Sequence, residues 1–239
     1  MTCKLTGITL VRNGNTLGYP YKQCVKSLLD FCDDVLINVD PCYPSDGTLE
    51  DIQSEFKDRD LKIHLRTWDM KNTGDGGELA RQANLLLPHV NADWIVYMQA
   101  DEMIHEKDFH SIRSFLASLP KEVSQVELYR TYFYRDLSHR LLKDEIFLGR
   151  IFRPGTHTVG GDGMYLVRHS GQVVRSPFWI YHYSRMGSEE AIDQRVKTLD
   201  HLFHSVDKVK TFPKFQYQTE GLVDYTGTHP SGIEKLYAI

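Results

Sequence analysis

The residues with the most chemical potential stand where short apolar runs end. Arg12-Asn13 follows Leu5–Val11, Asp40 follows Val35–Val39, and Gln99-Ala100-Asp101-Glu102 follows Trp94–Met98. Carboxylates at neighbouring strand ends can accept hydrogen bonds from a base or ribose and can ligate a divalent cation. Gly74-Asp75-Gly76-Gly77 precedes a helical stretch with Arg81 in its first turn. A helix N-terminus opened by glycines favours an anion such as a pyrophosphate, and a guanidinium suits phosphate geometry. Asp46, within Pro44-Ser45-Asp46-Gly47, reads as a turn former instead. Each of these residues is ordinary at a strand end or a helix cap, so their weight comes from the elements that position them.

Those elements alternate. Leu5–Val11 (LTGITLV) predicts a buried strand that ends at a loop signal, Arg12-Asn13-Gly14-Asn15. Tyr21–Phe31, followed by Cys32, carries Val25, Leu28 and Leu29 at helical spacing and predicts an amphipathic helix. A second strand spans Val35–Val39, and a helix begins near Thr48 with Asp51 completing an imperfect capping box. Leu61–Leu65, a helix over Glu78–Leu87 and the strand Trp94–Met98 follow. Repeated β-α units of this length imply an α/β, Rossmann-like fold with a mostly parallel central sheet flanked by helices. Beyond Asp101 the pattern changes: strands over Glu127–Tyr134, Ile146–Phe152, Met164–His169 and Val173–Tyr183, a helix over Glu189–His204, and an irregular aromatic segment from Val206. The expectation is one domain over residues 1–239, with an antiparallel region after residue 102 elaborating the first half.

Composition narrows the function classes. With 239 residues, 41% hydrophobic and 25% charged, the chain can fill a core, which excludes general disorder. No apolar run approaches the roughly 18 residues of a membrane span, and the N-terminus has no signal-peptide core. Cys3, Cys24, Cys32 and Cys42 show neither CxxC spacing nor a disulfide ladder, so a reduced, cytoplasmic setting is expected. The net charge of -4 is uneven: residues 1–120 carry 12 Lys/Arg against 18 Asp/Glu, whereas 121–185 carry 10 against 6. Such asymmetry can separate two binding tasks within one domain.

Taken in order, the strand ending in Arg12-Asn13, the strand ending in Asp40, Asp46-Gly47-Thr48, the glycine-rich turn with Arg81 and Asn84, and the strand ending in Gln99-Ala100-Asp101-Glu102 resemble family 2 glycosyltransferases of the GT-A fold. The resemblance implies a nucleoside-diphosphate sugar donor, with UDP the commonest base among relatives. Arg12, Asn13, Asp40, Gly77, Arg81, Gln99 and Asp101 are then the donor-binding set, with Asp40 at the nucleotide base. The family's Asp-x-Asp metal motif here reads Gln99-Ala100-Asp101, which leaves Asp101 as the direct ligand. Tyr181-His182-Tyr183-Ser184-Arg185, followed by a helix with Glu189 and Arg195, looks like the family's His-Tyr element, which implies His182 as the second metal ligand. An imidazole beside a carboxylate suits Mn²⁺ better than Mg²⁺. Asp162, in Gly160-Gly161-Asp162-Gly163, is the first candidate for the base that takes the acceptor's proton, with Glu102 and Glu145 as rivals.

Residues 121–185 also hold eleven of the 27 aromatic residues and eight arginines, densest at Tyr129-Arg130-Thr131-Tyr132-Phe133-Tyr134-Arg135. Aromatic faces stack on sugars or bases and arginine clamps phosphate, so the acceptor is expected to be a glycan or a hydroxylated base in DNA. Alternation along a half-buried strand accounts for most of the same residues without a ligand. A nucleotidyltransferase would need a Gly- and Lys-rich loop near the first strand, which Arg12-Asn13-Gly14-Asn15 does not supply. A non-catalytic nucleotide-sugar- or carbohydrate-binding module is the alternative, with Gln99 in its favour.

Overall fold

Leu5–Val11 forms β1, and all seven of its residues are buried. A strand covered on both faces needs apolar side chains in succession, which is why this run does not alternate. The computed structural model describes residues 3–70, 77–203 and 221–237. β1 pairs in parallel with β2 (Asp34–Val39) and with β4 (Trp94–Tyr97), and β2 pairs in parallel with β3 (Leu61–Leu65). Between these strands run α1 (Gly14–Leu17), α2 (Tyr21–Phe31), α3 (Thr48–Glu55) and α4 (Gly77–Asn84). Helix α2 lies so close to β1 that a Cβ on Gly7 would meet the Leu28 side chain at 3.1 Å. The glycines at 74 and 76 lie outside the described residues.

After β4 come the two-residue strand β5 (Glu102–Met103), α5 (Phe109–Ser118), β6 (Val123–Leu141), β7 (Ile146–Phe152), β8 (His157–Gly160), β9 (Tyr165–Arg168), β10 (Gln172–Met186), α6 (Glu189–Phe203), β11 (Leu222–Asp224) and α7 (Ile233–Tyr237). Among the described residues one nine-stranded sheet has the order β3-β2-β1-β4-β7-β6-β10-β5, with β11 beside β6, and β8-β9 forms a small antiparallel sheet. β7 enters antiparallel to both β4 and β6, so β6 and β10 run in the same direction as β1. The expected α/β architecture and its antiparallel additions are present, while the two longest strands, β6 and β10, pair in parallel. Their ladder shifts register three times, and such bulges bend a strand and re-aim its side chains.

One face of the sheet packs Leu5, Val35, Trp94 and Val96 against Leu28 and Phe31 of α2 and Ile112 and Leu116 of α5. The other face packs Ile8, Leu36 and Ile95 against Ala80 and Ala83 of α4. Helix α5, unmarked in the sequence reading, buries only Ile112 and Leu116 in full, too sparse a pattern to announce itself. All four cysteines are free, and no described helix is long and apolar enough to cross a membrane.

His157 on β8 ties acidity to stability. It is 2% exposed, its Nδ1 meets the Thr156 hydroxyl at 2.7 Å, and its Nε2 has no partner. Burial, with His169 and Arg168 adding to it, pushes its pKa down from 6.5 to about 4. The unfolded chain therefore takes up a proton that the folded chain refuses. Stability is full above pH 6.5 and declines until about pH 4, by about 1–3 kcal/mol from this residue. His64, His105 and His229 are shifted the same way by burial. Denaturation followed over this range should show a shallower decline in His157→Gln; an identical decline would count against the assignment.

Candidate functional site

The end of β4 turns sharply. The Gln99 amide donates to Glu102 Oε2 at 3.1 Å, and the Glu102 amide donates back to the Gln99 carbonyl at 2.9 Å. This closed turn presents Asp101 and sends the chain into β5, which pairs antiparallel with β10 in a register that sets Glu102 opposite His182. The Tyr183 amide then donates to the Asp101 carbonyl at 2.9 Å. As a result His182 Nε2 stands 3.4 Å from Asp101 Oδ1, with both side chains largely buried. Burial pushes the Asp101 carboxyl up, but His182, a backbone hydrogen bond and Arg195 together hold the pKa below the ordinary value. Asp101 is therefore a carboxylate.

Beneath this turn Glu102 is fully buried, and both its oxygens are taken by Arg150, with Nε–Oε2 at 2.7 Å and Nη2–Oε1 at 2.9 Å. Burial raises the Glu102 pKa, and the guanidinium more than reverses the effect. A carboxylate closed from solvent and held by two charge-assisted hydrogen bonds has no route to an acceptor hydroxyl. Glu102, expected as a candidate base, is instead a structural partner of Arg150. Glu145, the other rival, is similarly enclosed by Tyr129, Thr131 and Arg140.

Asp101 and His182 line a cavity of about 330 Å³ together with Arg12, Trp68, Gln99, Arg130, Tyr132, Asp144, Asp162 and Arg185. Asp162 arrives on the turn between β8 and β9, where its Oδ1 accepts from the Met164 amide at 3.1 Å. That turn is pressed against β4: Gly163 has φ +80, and a Cβ there would meet the Tyr97 hydroxyl at 2.6 Å. Asp40 is set back. Its oxygens accept from Arg12 Nε at 2.9 Å, the Cys42 amide at 3.1 Å and the Trp68 amide at 3.3 Å. It thereby positions Arg12 and Trp68, which face the cavity.

The remaining expected donor residues are elsewhere. Asn13 has φ 51 and caps α1, and Asp46 accepts from the Thr16 and Thr48 amides as the turn former it was expected to be. Gly77 opens α4, whose Leu79 reaches the cavity. Arg81 is not turned to the cavity: it makes two hydrogen bonds to Glu78, at 2.6 and 2.7 Å. An i,i+3 spacing places the two side chains on one helix face, and the buried Glu78 carboxylate needs the cation there.

The fold is shared with S. aureus TarS. Residues 1–349 of that protein, solved in complex with UDP, superpose with a TM-score of 0.50 at 14% identity, covering 82% of this chain and 64% of TarS 1–349. The same protein with UDP-GlcNAc gives 0.49 at 13% identity, and the mannosyltransferase PcManGT from Pyrobaculum calidifontis, with GDP-Man and Mn²⁺, gives 0.49 at 15%. The chain thus spans less than two thirds of these structures, and likeness at such identity bears on the fold alone. No protein-family model and no curated protein matches the sequence.

Sequence reasoning passed over several residues that the site uses. Trp68 lies beyond β3 and reaches the cavity because its backbone bonds Asp40 and its Nε1 donates to Asn38 at 3.2 Å. Arg195, noted only as part of the closing helix, is 4% exposed and donates to the carbonyls of Leu17, Gly18, Ser184 and Met186. It pins α6 over the cavity's rim. No local signal marks Arg150, because an arginine at the middle of a strand reads as a solvated position.

A divalent cation fits part of this site. Two cis ligands of one octahedral ion stand about 3 Å apart when each bond is about 2.1 Å. The 3.4 Å between Asp101 Oδ1 and His182 Nε2 is close to that separation. Among the described residues no group of three or more His, Cys, Asp and Glu gathers around one point. The protein side supplies two donors, and a diphosphate would have to supply others.

Proposed function

We propose that this chain is a glycosyltransferase that moves a sugar from a nucleoside-diphosphate sugar, a UDP-sugar in the first instance, to an acceptor hydroxyl. The observation that carries the reading is the convergence of Asp101 and His182 on a cavity that also holds Arg12 and Asp162. UDP, with which the fold neighbour TarS was solved, is the first nucleotide to test. Residues 1–102 bind the donor and 103–239 the acceptor, within one domain. Asp40 holds Arg12 and Trp68 at the nucleotide end. Asp101 and His182 would hold the cation, Mn²⁺ ahead of Mg²⁺ because one ligand is an imidazole. When bound, the cation would supply charge to offset that of the diphosphate. Asp162 takes the acceptor's proton as its oxygen attacks the anomeric carbon, and the diphosphate leaves with the electron pair of the broken bond. The acceptor is a glycan or a hydroxylated base in DNA.

A binding module without catalysis is the second reading, favoured by Gln99 at the position where relatives carry a metal aspartate and by the two-donor set. A thermal-shift panel of UDP, GDP, CDP and TDP, with and without Mn²⁺, tests the donor site. UDP with Mn²⁺ at about a hundred times Kd should stabilise by about 2.7 kcal/mol, or roughly 5–10 °C. No shift with any nucleotide would sink the glycosyltransferase reading and leave a carbohydrate-binding module. Binding without metal-dependent hydrolysis of the matching nucleotide sugar would leave the module.

A further inference from the structure

Among the described residues three arginines are at least nine-tenths buried: Arg130 at 5%, Arg150 at 0% and Arg195 at 4%. Two of them are satisfied. Arg150 is matched to Glu102, and Arg195 donates to four carbonyls. Arg130 is not. Its hydrogen bonds go to one carbonyl, that of Asp144 at 3.0 Å, and to the Met164 thioether at 3.3 Å, a weak acceptor. Its Nε is buried without a partner, and no described carboxylate lies within ion-pair distance. A buried guanidinium in that condition destabilises the protein that carries it.

Its surroundings give the reason for keeping it. Arg130 and Arg185 both stack on the Tyr132 ring, at 5.2 and 5.1 Å from its centre, and all three line the cavity. Tyr132 in turn packs its ring against His182, 4.6 Å between centroids. Met164, under Arg130, follows the Asp162 turn. In the sheet, Arg130 on β6 lies three strands from Arg12 at the end of β1, across β4 and β7, or roughly 14 Å at ordinary strand spacing. Arg185 is paired with Asp144, its Nη1 3.0 Å from Oδ2, so of the two guanidiniums on the Tyr132 ring Arg130 is the one without a carboxylate.

We infer that Arg130, beside the Arg185–Asp144 pair on the Tyr132 ring, forms an anion subsite that receives a phosphate group of the acceptor. Guanidinium groups match phosphate oxygens in pairs. A phosphate seated there sets a neighbouring hydroxyl beside Asp162. The inference relies on the glycosyltransferase reading for the acceptor's role, and on the geometry alone for the anion.

The test is calorimetric titration of ribose 5-phosphate and of ribose into the protein saturated with UDP and Mn²⁺, and of UDP separately, on wild type, Arg130→Met and Arg130→Lys. Ribose 5-phosphate should bind and ribose should not. Arg130→Met should weaken ribose 5-phosphate at least about tenfold while leaving UDP within about twofold, and Arg130→Lys should fall between. The unliganded Arg130→Met protein should melt no lower than wild type, because removing a buried charge without a carboxylate offsets the loss of one carbonyl hydrogen bond and a thioether contact. Equal binding of ribose and ribose 5-phosphate overturns the inference. So does an equal loss of UDP affinity in Arg130→Met, which would assign the arginine to the donor diphosphate. A fall in melting temperature would make Arg130 a structural residue and overturn it too. Arg130-dependent binding of ribose 5-phosphate by a protein that does not bind UDP would keep the subsite and remove the glycosyltransferase reading.

Discussion

Asp101→Asn should lower kcat/KM for sugar transfer by about 10²–10³-fold while leaving the fold intact. The carboxylate is held ionised beside His182 at the end of β4, on a cavity that Arg12 and Asp162 also line. The amide keeps the shape and removes the charge, so a loss of this size reports the electrostatic work of the position. A factor of 10³ corresponds to about 4 kcal/mol of transition-state stabilisation. The assay is donor turnover by wild type and variant at matched melting temperature. Activity within tenfold of wild type, with the fold unchanged, would remove Asp101 from the mechanism and favour the binding module.

Arg150→Met should cost about 3–5 kcal/mol of stability, because it leaves Glu102 charged, fully buried and unmatched. For a chain of this length that is roughly 6–20 °C in Tm. Glu102→Gln strands the arginine and should also destabilise. The double variant Arg150→Met with Glu102→Leu should recover much of the loss, since apolar replacements of a buried pair are often neutral. It should not recover transfer. Glu102 accepts from the Gln99 amide, and Arg150 donates to the Met164 carbonyl at 2.8 Å, so the pair ties the Asp101 turn to the Asp162 hairpin. Denaturation of the four proteins, with activity measured alongside, separates these roles. A single variant within 1 kcal/mol of wild type would mean that the pair contributes little.

Much of the first hundred residues was legible in one dimension, and the reason is local. Buried parallel strands read as unbroken apolar runs, and helix α2 repeats its apolar residues at helical spacing. The rule that ligands gather at the carboxyl ends of such strands then picked out Gln99 and Asp101, both of which line the cavity. Asp40 was found by the same rule, but its carboxylate is taken up by Arg12, Cys42 and Trp68, and no local pattern records that.

Partners distant in the chain were hidden. His182 meets Asp101 because β5 pairs with β10 in one register, and a shift of one residue would turn the imidazole to the other face of the sheet. Strand propensity carries no partner and no register, which is also why the parallel pairing of β6 with β10 was not foreseen. The arginines make the same point: Arg130, Arg150 and Arg195 share a side chain and a depth of burial, and differ only in what lies opposite. One meets Glu102, one meets four carbonyls, and one faces a cavity with most of its hydrogen-bonding capacity unmet. Charge and residue type are properties of the chain, whereas desolvation and pairing exist only once distant strands have been brought together.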